Sequence, residues 1–370
     1  MVENRLYFLD NLRSVIILGV VVLHVAICYM MYPPVWWYVV NPVTNLYFTQ
    51  LVVLVDVPLM PCMFFIAGYF ALPSLQRHGV VSFLQQKTWR IFIPWVLGIV
   101  LLAPPTAFSY PYSRNMPVDL YSFWTHYFWT DAFQHSVYWF LALLFWLFVA
   151  LTIIWKCVPA LRNVTRTPAQ APLWLFPAVV GVSASCFFIA LQFFPLDYWY
   201  VSYLLSFRPE RLVQLVVFFI LGMWAWKYGW FTQEGYRPRK RVWLPLFVLT
   251  MVIYLPVRLG FVASPIPLWQ KQIILACAFT TYSIASLMGL CAVFSTWVNG
   301  KSAFWRSASK NSYGIYYLHA PIVYWLAYAF IPLAWSTYVK STVILVLSMA
   351  ASWMFTAGVL RKAPLLKRMF

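Results

Sequence analysis

Charged side chains are scarce in this chain of 370 residues: they make up 9% of it, against 63% for hydrophobic residues. A soluble domain carries roughly a quarter charged residues. The chain therefore has too little polar surface to cover a water-exposed globule, which excludes an ordinary soluble protein. Because a spanning helix needs about 20 apolar residues, this length predicts an all-α integral membrane protein. We expect a bundle of about ten transmembrane helices in one domain over residues 1–370.

Familiar signatures of metal and hydrolase sites are also missing. The six cysteines form no CxxC pair and no Cys/His spacing typical of a metal site. Neither a Gly-rich phosphate loop nor a GxSxG turn occurs. We therefore expect no hydrolytic serine triad and no metal cofactor. No cleavage pattern of small residues follows the first apolar run, Leu12 to Met31, which predicts an uncleaved first helix.

The apolar runs predict ten helices along the chain. Pro58 and Pro61 are expected to break or kink the second one, because proline removes a helical hydrogen bond. The runs lie near residues 10–31, 47–77, 91–109, 136–155, 172–194, 204–226, 242–259, 268–297, 312–333 and 341–360.

The basic residues indicate the orientation. The net charge is +18, but the basic residues form short clusters between apolar runs, so the expected partner is the anionic inner leaflet of the bilayer rather than nucleic acid. With the N-terminus inside and the loops alternating, 19 of the 26 Lys and Arg residues, Arg5 among them, fall on the inner side. Six fall on the outer side, and Arg13 belongs to the first helix. This asymmetry predicts that both termini are cytoplasmic.

Ionisable residues inside a membrane are costly, and they suggest function. The first helix carries Asp10, Arg13 and His24. At about 100° per residue, Arg13 and His24 lie about 20° apart around the helix and Asp10 and His24 about 40° apart, so the three share one face, and His24 lies about 16 Å further along than Arg13. This face indicates a cation near the cytoplasm and a titratable imidazole deep in the membrane. The alternative is an Asp10–Arg13 pair with His24 hydrogen-bonded to a neighbouring helix.

The ninth helix has a similar polar face. Ser312 and His319 lie about 20° apart around it, with Tyr316 between them. His319 is expected at the depth of His24, so that the two imidazoles flank a reaction chamber. A hydrogen-bonded polar seam between helices is an equally consistent interpretation.

Further candidates lie towards the outer side. Asp56 in the second helix needs a partner or a water-filled cavity. Arg208, Glu210 and Arg211 at the start of the sixth helix either pair with one another or bind a polar substrate. His135, before the fourth helix, is either an interfacial aromatic anchor or a substrate-binding residue.

On the cytoplasmic side, Lys87 and Arg90 precede the third apolar run. Cations near a helix start can hold phosphates. The simpler interpretation is that they only contribute to the positive-inside charge pattern.

Four motifs follow one another along the chain. Its opening, Arg5-Leu-Tyr-Phe-Leu-Asp10-Asn-Leu-Arg13, is followed after ten residues by His24, and residues 64–70 (FFIAGYF) surround a glycine with aromatic residues. Residues 90–94 are RIFIP, and residues 312–319 are SYGIYYLH. In this order they resemble the Arg-x10-His signature, the aromatic-Gly motif, the Arg-Ile-x-x-Pro element and the late Tyr/His helix of acyltransferase family 3 membrane proteins.

The likeness spans nearly the whole chain. Within the family, His135 ahead of Trp139-Phe140 resembles the branch of the glucan succinyltransferases. Ala67 departs from the pattern, since many members have serine there, which leaves the acyl or acceptor preference open.

The resemblance implies transfer of an acetyl or succinyl group from cytoplasmic acyl-CoA, as co-substrate, to a hydroxyl of an extracytoplasmic carbohydrate or lipid-linked sugar, in a bacterial inner membrane. His24 would be the catalytic histidine with Arg13 as its companion, and Arg90 and His319 would be further site residues. A neutral imidazole could take the hydroxyl proton or carry the acyl group. Cations on the inner side would hold the CoA phosphates.

A different class of function also fits the buried ionisable residues. Asp56, Glu210 and the two buried histidines could form the proton relay of a transporter or exporter. That alternative predicts inverted-repeat symmetry and paired broken helices, and the sequence indicates only one proline-interrupted span.

Overall fold

A computed structural model describes residues 6–260, 265–364 and 366–370; Arg5 lies outside these ranges. The described chain is almost entirely helical. Its long helices are α1 (Tyr7–Ile27), α2 (Leu46–Lys87), α3 (88–113), α4 (Trp139–Cys157), α5 (Leu175–Phe193), α6 (Pro209–Lys227), α7 (Lys240–Leu259), α8 (Leu268–Trp297), α9 (Ala303–Ala329) and α10 (Thr337–Phe355). Each predicted apolar run falls on one of them.

The length and composition of these helices confirm the all-α membrane bundle. Among the described residues, eight helical segments are long and apolar enough to cross a bilayer. One of the eight, Leu46–Ser113, is 68 residues long and holds both α2 and α3, more than twice the length of a single crossing. Helix α9 has 27 residues but is less apolar, because its first half carries the polar residues of the predicted seam.

The interruption in α2 lies at a different residue from the one predicted. Pro58 and Pro61 sit within regular helix, whereas Gly79 has φ 71° and ψ 168°. A positive φ strains residues that carry a side chain, so glycine suits this position. In the membrane, neighbouring groups can satisfy the carbonyls that a proline leaves free, and the helix therefore continues through Pro58 and Pro61.

Helix α1 is central, and the backbones of α2 and α6 approach one another closely. Helix α1 packs against α2, α8, α9 and α10. A Cβ added to Gly68 in α2 would lie 1.9 Å from the carbonyl oxygen of Phe219, and one added to Gly222 in α6 would lie 2.1 Å from that of Phe65. Small residues allow such close packing of membrane helices. This contact holds α6 against α2 at Phe219 and Gly222.

The end of the bundle where α1 finishes, here called the Ile27 end, is covered by three loops. They are 28–45, a loop before α4 that contains short helical turns over 120–130, and a loop before α6 with a small antiparallel hairpin of β1 (Tyr200–Val201) and β2 (Ser206–Phe207). The Tyr38 hydroxyl donates to Gln134 at 2.7 Å, and the Tyr203 hydroxyl donates to the Trp129 carbonyl at 2.6 Å. The loops therefore form one cap over the helices.

Candidate active site

Two histidines meet in the interior near the Ile27 end. His24 of α1 and His319 of α9 lie with Nδ1 and Nε2, respectively, 3.4 Å apart, and their ring centroids are 5.0 Å apart. The prediction that the two imidazoles share one depth is thus confirmed. His319 is fully buried, whereas His24 is only partly buried. This difference leaves His24 as the ring that a ligand can reach.

Backbone carbonyls determine how both rings are protonated. His319 Nδ1 lies 2.7 Å from the Tyr316 carbonyl, and His24 Nδ1 lies 2.7 Å from the Val20 carbonyl. A carbonyl only accepts, so each Nδ1 carries the proton. The Nε2 of His319 then accepts from His24 Nδ1–H. Among the described residues, His24 Nε2 makes no hydrogen bond, and its lone pair is available as a base.

His24 lines two cavities. The first cavity has a volume of about 500 Å³ and extends under the loop cap. The second cavity, about 210 Å³, lies between α1, α2, α6 and α7. Both are also lined by Trp36, Trp37, Trp139 and Trp199. The Trp37 ring stacks on His24 with centroids 5.9 Å apart. The imidazole is therefore held at a point that two different molecules can approach.

A cluster of paired charges forms the polar wall of the second cavity. Asp56 of α2 accepts from Arg211 of α6 at 2.6 Å. Asp197, in the loop before α6, pairs with Arg208 at 3.1 Å and with Arg258 of α7 at 2.5 Å. Burial raises the pKa of the Asp197 carboxyl, but the guanidiniums around it outweigh burial and hold the pKa below its usual value. Asp197 is therefore ionised.

Two side chains beside this cluster have polar atoms without hydrogen-bond partners. Gln214 is 1% exposed and lines the second cavity, and neither its amide nitrogen nor its amide oxygen has a hydrogen-bond partner. Glu210 is 2% exposed, and its nearest cation is the Arg211 Nε at 3.7 Å. Buried polar atoms are almost always hydrogen-bonded. Those of Gln214 are therefore an exception that calls for an explanation.

The predicted phosphate-binding cations lie at the opposite end of the bundle. Arg13 pairs with Asp10 at 3.6 Å and donates to Ser309 in α9 at 3.3 Å. The carbonyl of Arg90 accepts from the Tyr313 hydroxyl, one turn further along α9, at 2.7 Å. Lys87 places its ammonium 4.4 Å from the ring centre of Phe148. None of the three cations lines either cavity.

His135 is not an interfacial anchor, because it is buried and its two ring nitrogens are occupied. Its Nδ1 accepts from the Trp95 indole at 3.3 Å, and its Nε2 donates to the Ser202 carbonyl at 2.8 Å. Burial lowers its pKa to about 4. His135 lines the first cavity, but its described contacts connect the loop cap to α3.

Tyr316 lines the second cavity, and its hydroxyl donates to the carbonyl of Val137. Helix α9 is thereby tied to the start of α4.

Sequence reasoning missed Trp37, Asp197, Gln214 and Arg258. Gln214 lies three residues after Arg211 on the same helix, a spacing that places both on one face. The sequence therefore does contain a pattern that points to Gln214. Asp197 and Arg258 come together from two loop-proximal positions 61 residues apart, and no local pattern indicates such a pairing.

One comparison with known proteins identifies a family. A family model described as an acyltransferase domain, the model of acyltransferase family 3, matches residues 6–357. No curated protein and no solved structure gives a match.

Proposed function

This chain belongs to acyltransferase family 3, and we propose that it moves an acyl group from cytoplasmic acyl-CoA to a hydroxyl of an extracytoplasmic glycan or glycolipid. As a member of the family it is a membrane acyltransferase, an enzyme that transfers groups other than aminoacyl groups. The observation that carries the proposal is that His24 lines both cavities while its Nε2 makes no hydrogen bond among the described residues.

In the proposed reaction His24 is the general base. Its Nε2 takes the proton of the acceptor hydroxyl while the oxygen attacks the thioester carbonyl carbon. The carbon–sulfur bond then breaks, and the imidazolium returns the proton to the departing CoA thiolate. His319 supports this role because its Nε2 accepts from His24 Nδ1–H and fixes the tautomer. In a second route, His24 Nε2 attacks the thioester first and carries the acyl group itself.

The proposed orientation places the Tyr7 end of α1 on the cytoplasmic side and the loop cap on the outer side. The proposed membrane is a bacterial inner membrane, with both termini in the cytoplasm. The excess of Lys and Arg in alternate loops supports this orientation. Arg13 and Arg90 lie near one another along α9 at the Tyr7 end. We propose that these two cations, with Lys87, hold the CoA phosphates, while the acyl end extends the ~16 Å of α1 to His24.

The residues of these motifs favour the branch of the glucan succinyltransferases, and we therefore propose that the acyl group is acetyl or succinyl. In this proposal Asp56, Arg208, Arg211 and Tyr316, which line the second cavity, contribute to substrate binding together with Glu210 beside Arg211.

The test uses the purified full chain in lipid nanodiscs with acetyl-CoA and succinyl-CoA, and follows release of the CoA thiol with and without oligosaccharide. We expect His24→Ala to lower the rate at least ~100-fold, the lower end of general-base catalysis. His126→Ala is the matched control, because His126 is exposed and lines neither cavity. Normal transfer by the His24→Ala protein would refute the proposal.

The same preparation distinguishes the two chemical routes. Without acceptor, an acyl-histidine route gives one equivalent of CoA thiol per protein and an acylated His24 detectable by mass spectrometry. General-base catalysis gives no modified His24.

A further inference from the structure

The charges in the second cavity favour an uncharged ligand. Three guanidiniums and two carboxylates line it. Glu210 lies behind them, with a carboxylate oxygen 3.7 Å from Arg211. The side chains of Asp56 and Asp197 are 28% and 34% exposed, whereas those of Arg208 and Arg211 are each 17% exposed. Both signs of charge are thus presented to the cavity, so an anion meets the carboxylates and a cation meets the guanidiniums, whereas an uncharged ligand meets neither penalty.

The same wall offers donors and acceptors together. Asp56 uses Oδ2 for its contacts with Arg208 and Arg211, and within the described part of the chain Oδ1 makes none. Guanidinium N–H groups can only donate. A ligand hydroxyl does both, because it has one proton to donate and two lone pairs.

Gln214 is an independent sign of a missing ligand. Gln214 lines the cavity and is 1% exposed, and its amide group makes no hydrogen bond. Leaving such a group unpaired is costly. One or two hydroxyls of a ligand would accept from Nε2 and donate to Oε1.

The remaining wall is aromatic. The Trp139 and Trp199 rings meet edge to face with centroids 5.4 Å apart, and the Arg208 guanidinium covers the Trp199 ring at 5.1 Å. Flat apolar rings beside a few directed polar groups are typical of sites that orient a small polar ligand. The volume of about 210 Å³ suits a single sugar residue.

We propose that the second cavity is the acceptor site and that it binds an uncharged sugar residue, with hydroxyls on Asp56 and Gln214. His24 lines the same cavity, and so a further hydroxyl of that sugar can reach its Nε2. The assignment rests on the proposed function for the identity of the reaction, but binding of the sugar requires no acyl donor.

The experiment measures sugar binding alone, by titration calorimetry on the full chain in nanodiscs without acyl-CoA. The probes are uncharged gluco-, manno- and galacto-tetrasaccharides, with tetragalacturonate as the anion and chitosan tetrasaccharide as the cation. We expect an uncharged probe to bind most tightly. Gln214→Leu should weaken this binding at least tenfold without lowering the thermal unfolding temperature, since the amide it removes has no partner. If this variant does not fold, Gln214→Met replaces it in the same titration, with the same expected loss of affinity.

The matched variant is Gln134→Leu in the first cavity, where the amide accepts from Tyr38. It should leave sugar binding unchanged. Loss of binding in Gln134→Leu but not in Gln214→Leu would move the acceptor to the first cavity and overturn the proposal. Tighter binding of a charged probe, or no binding of any uncharged one, would also overturn it. Release of CoA that depends on His24 would then still stand, so the proposed function is tested separately.

Discussion

Gly222→Ala should damage both the stability of the bundle and its proposed acceptor site. The new methyl group would lie 2.1 Å from the Phe65 carbonyl oxygen and 2.7 Å from the Tyr69 nitrogen. Both are backbone atoms of α2, so no side-chain rotation can relieve the contact. Helices α2 and α6 would have to separate.

The size of the effect follows from the geometry. A carbon and a carbonyl oxygen approach to about 3.3 Å in close contacts, so the helices must move apart by about 1 Å. Overpacking of this kind costs about 1–3 kcal/mol. The upper value is appropriate for contact between two backbones. Alanine regains about 1 kcal/mol of helix propensity over glycine, which leaves a net destabilisation of about 2 kcal/mol.

The assay is thermal unfolding of the purified protein in nanodiscs, combined with the sugar titration. Gly181→Ala in α5 is the matched control, because no atom lies within 4 Å of the Cβ it adds. The control should be stabilised by up to about 1 kcal/mol, and Gly222→Ala should unfold about 2–3 °C below the unmodified protein. Sugar binding should weaken as well, since Arg211 is carried on α6.

Two results would refute this reasoning. One is an unfolding temperature for Gly222→Ala equal to that of Gly181→Ala, which would mean that the two helices are not in backbone contact. The other is a destabilised protein with unchanged sugar affinity, which would separate the helix contact from the site.

Three further outcomes are expected. His319→Leu lowers kcat at least about tenfold with both KM values unchanged, because the His24 ring loses the acceptor that orients it; steady-state kinetics check this, and unchanged kcat would contradict it. For His135 the pKa is about 4 in the fold against 6.5 in the unfolded chain. The stability that its neutral, buried ring contributes is therefore complete above pH 6.5 and is lost as the pH falls towards 4. Stability should drop by about 3 kcal/mol over that window, and unfolding measured at pH 7 and pH 4.5 should differ less in His135→Gln. Lys87→Met keeps the packing on the aromatic rings but removes the cation, and it should raise KM for acyl-CoA with little change in unfolding temperature.

The sequence predicts the helices well because each one depends on a local apolar run. It also places His24 and His319 at one depth, since each is a fixed number of turns from a helix end. It does not predict where α2 breaks, because proline is a visible helix breaker whereas the positive φ of Gly79 depends on how the chain must turn. Nor does it predict the partners of Asp197, which come from two other helices and meet only through tertiary packing.

The proposed site and the tightest helix contact depend on one another through α6. Arg211 and Gln214 lie on the first two turns of this helix, and Gly222 lies two turns further on. An ionised pair such as Asp56–Arg211 is costly to bury and is tolerated only with good geometry. Backbone contact at Gly222 supplies that geometry, because it sets the position of α6 against α2 to a fraction of an ångström. The charge pairing at one end of α6 should therefore fail whenever the glycine contact at the other end is widened.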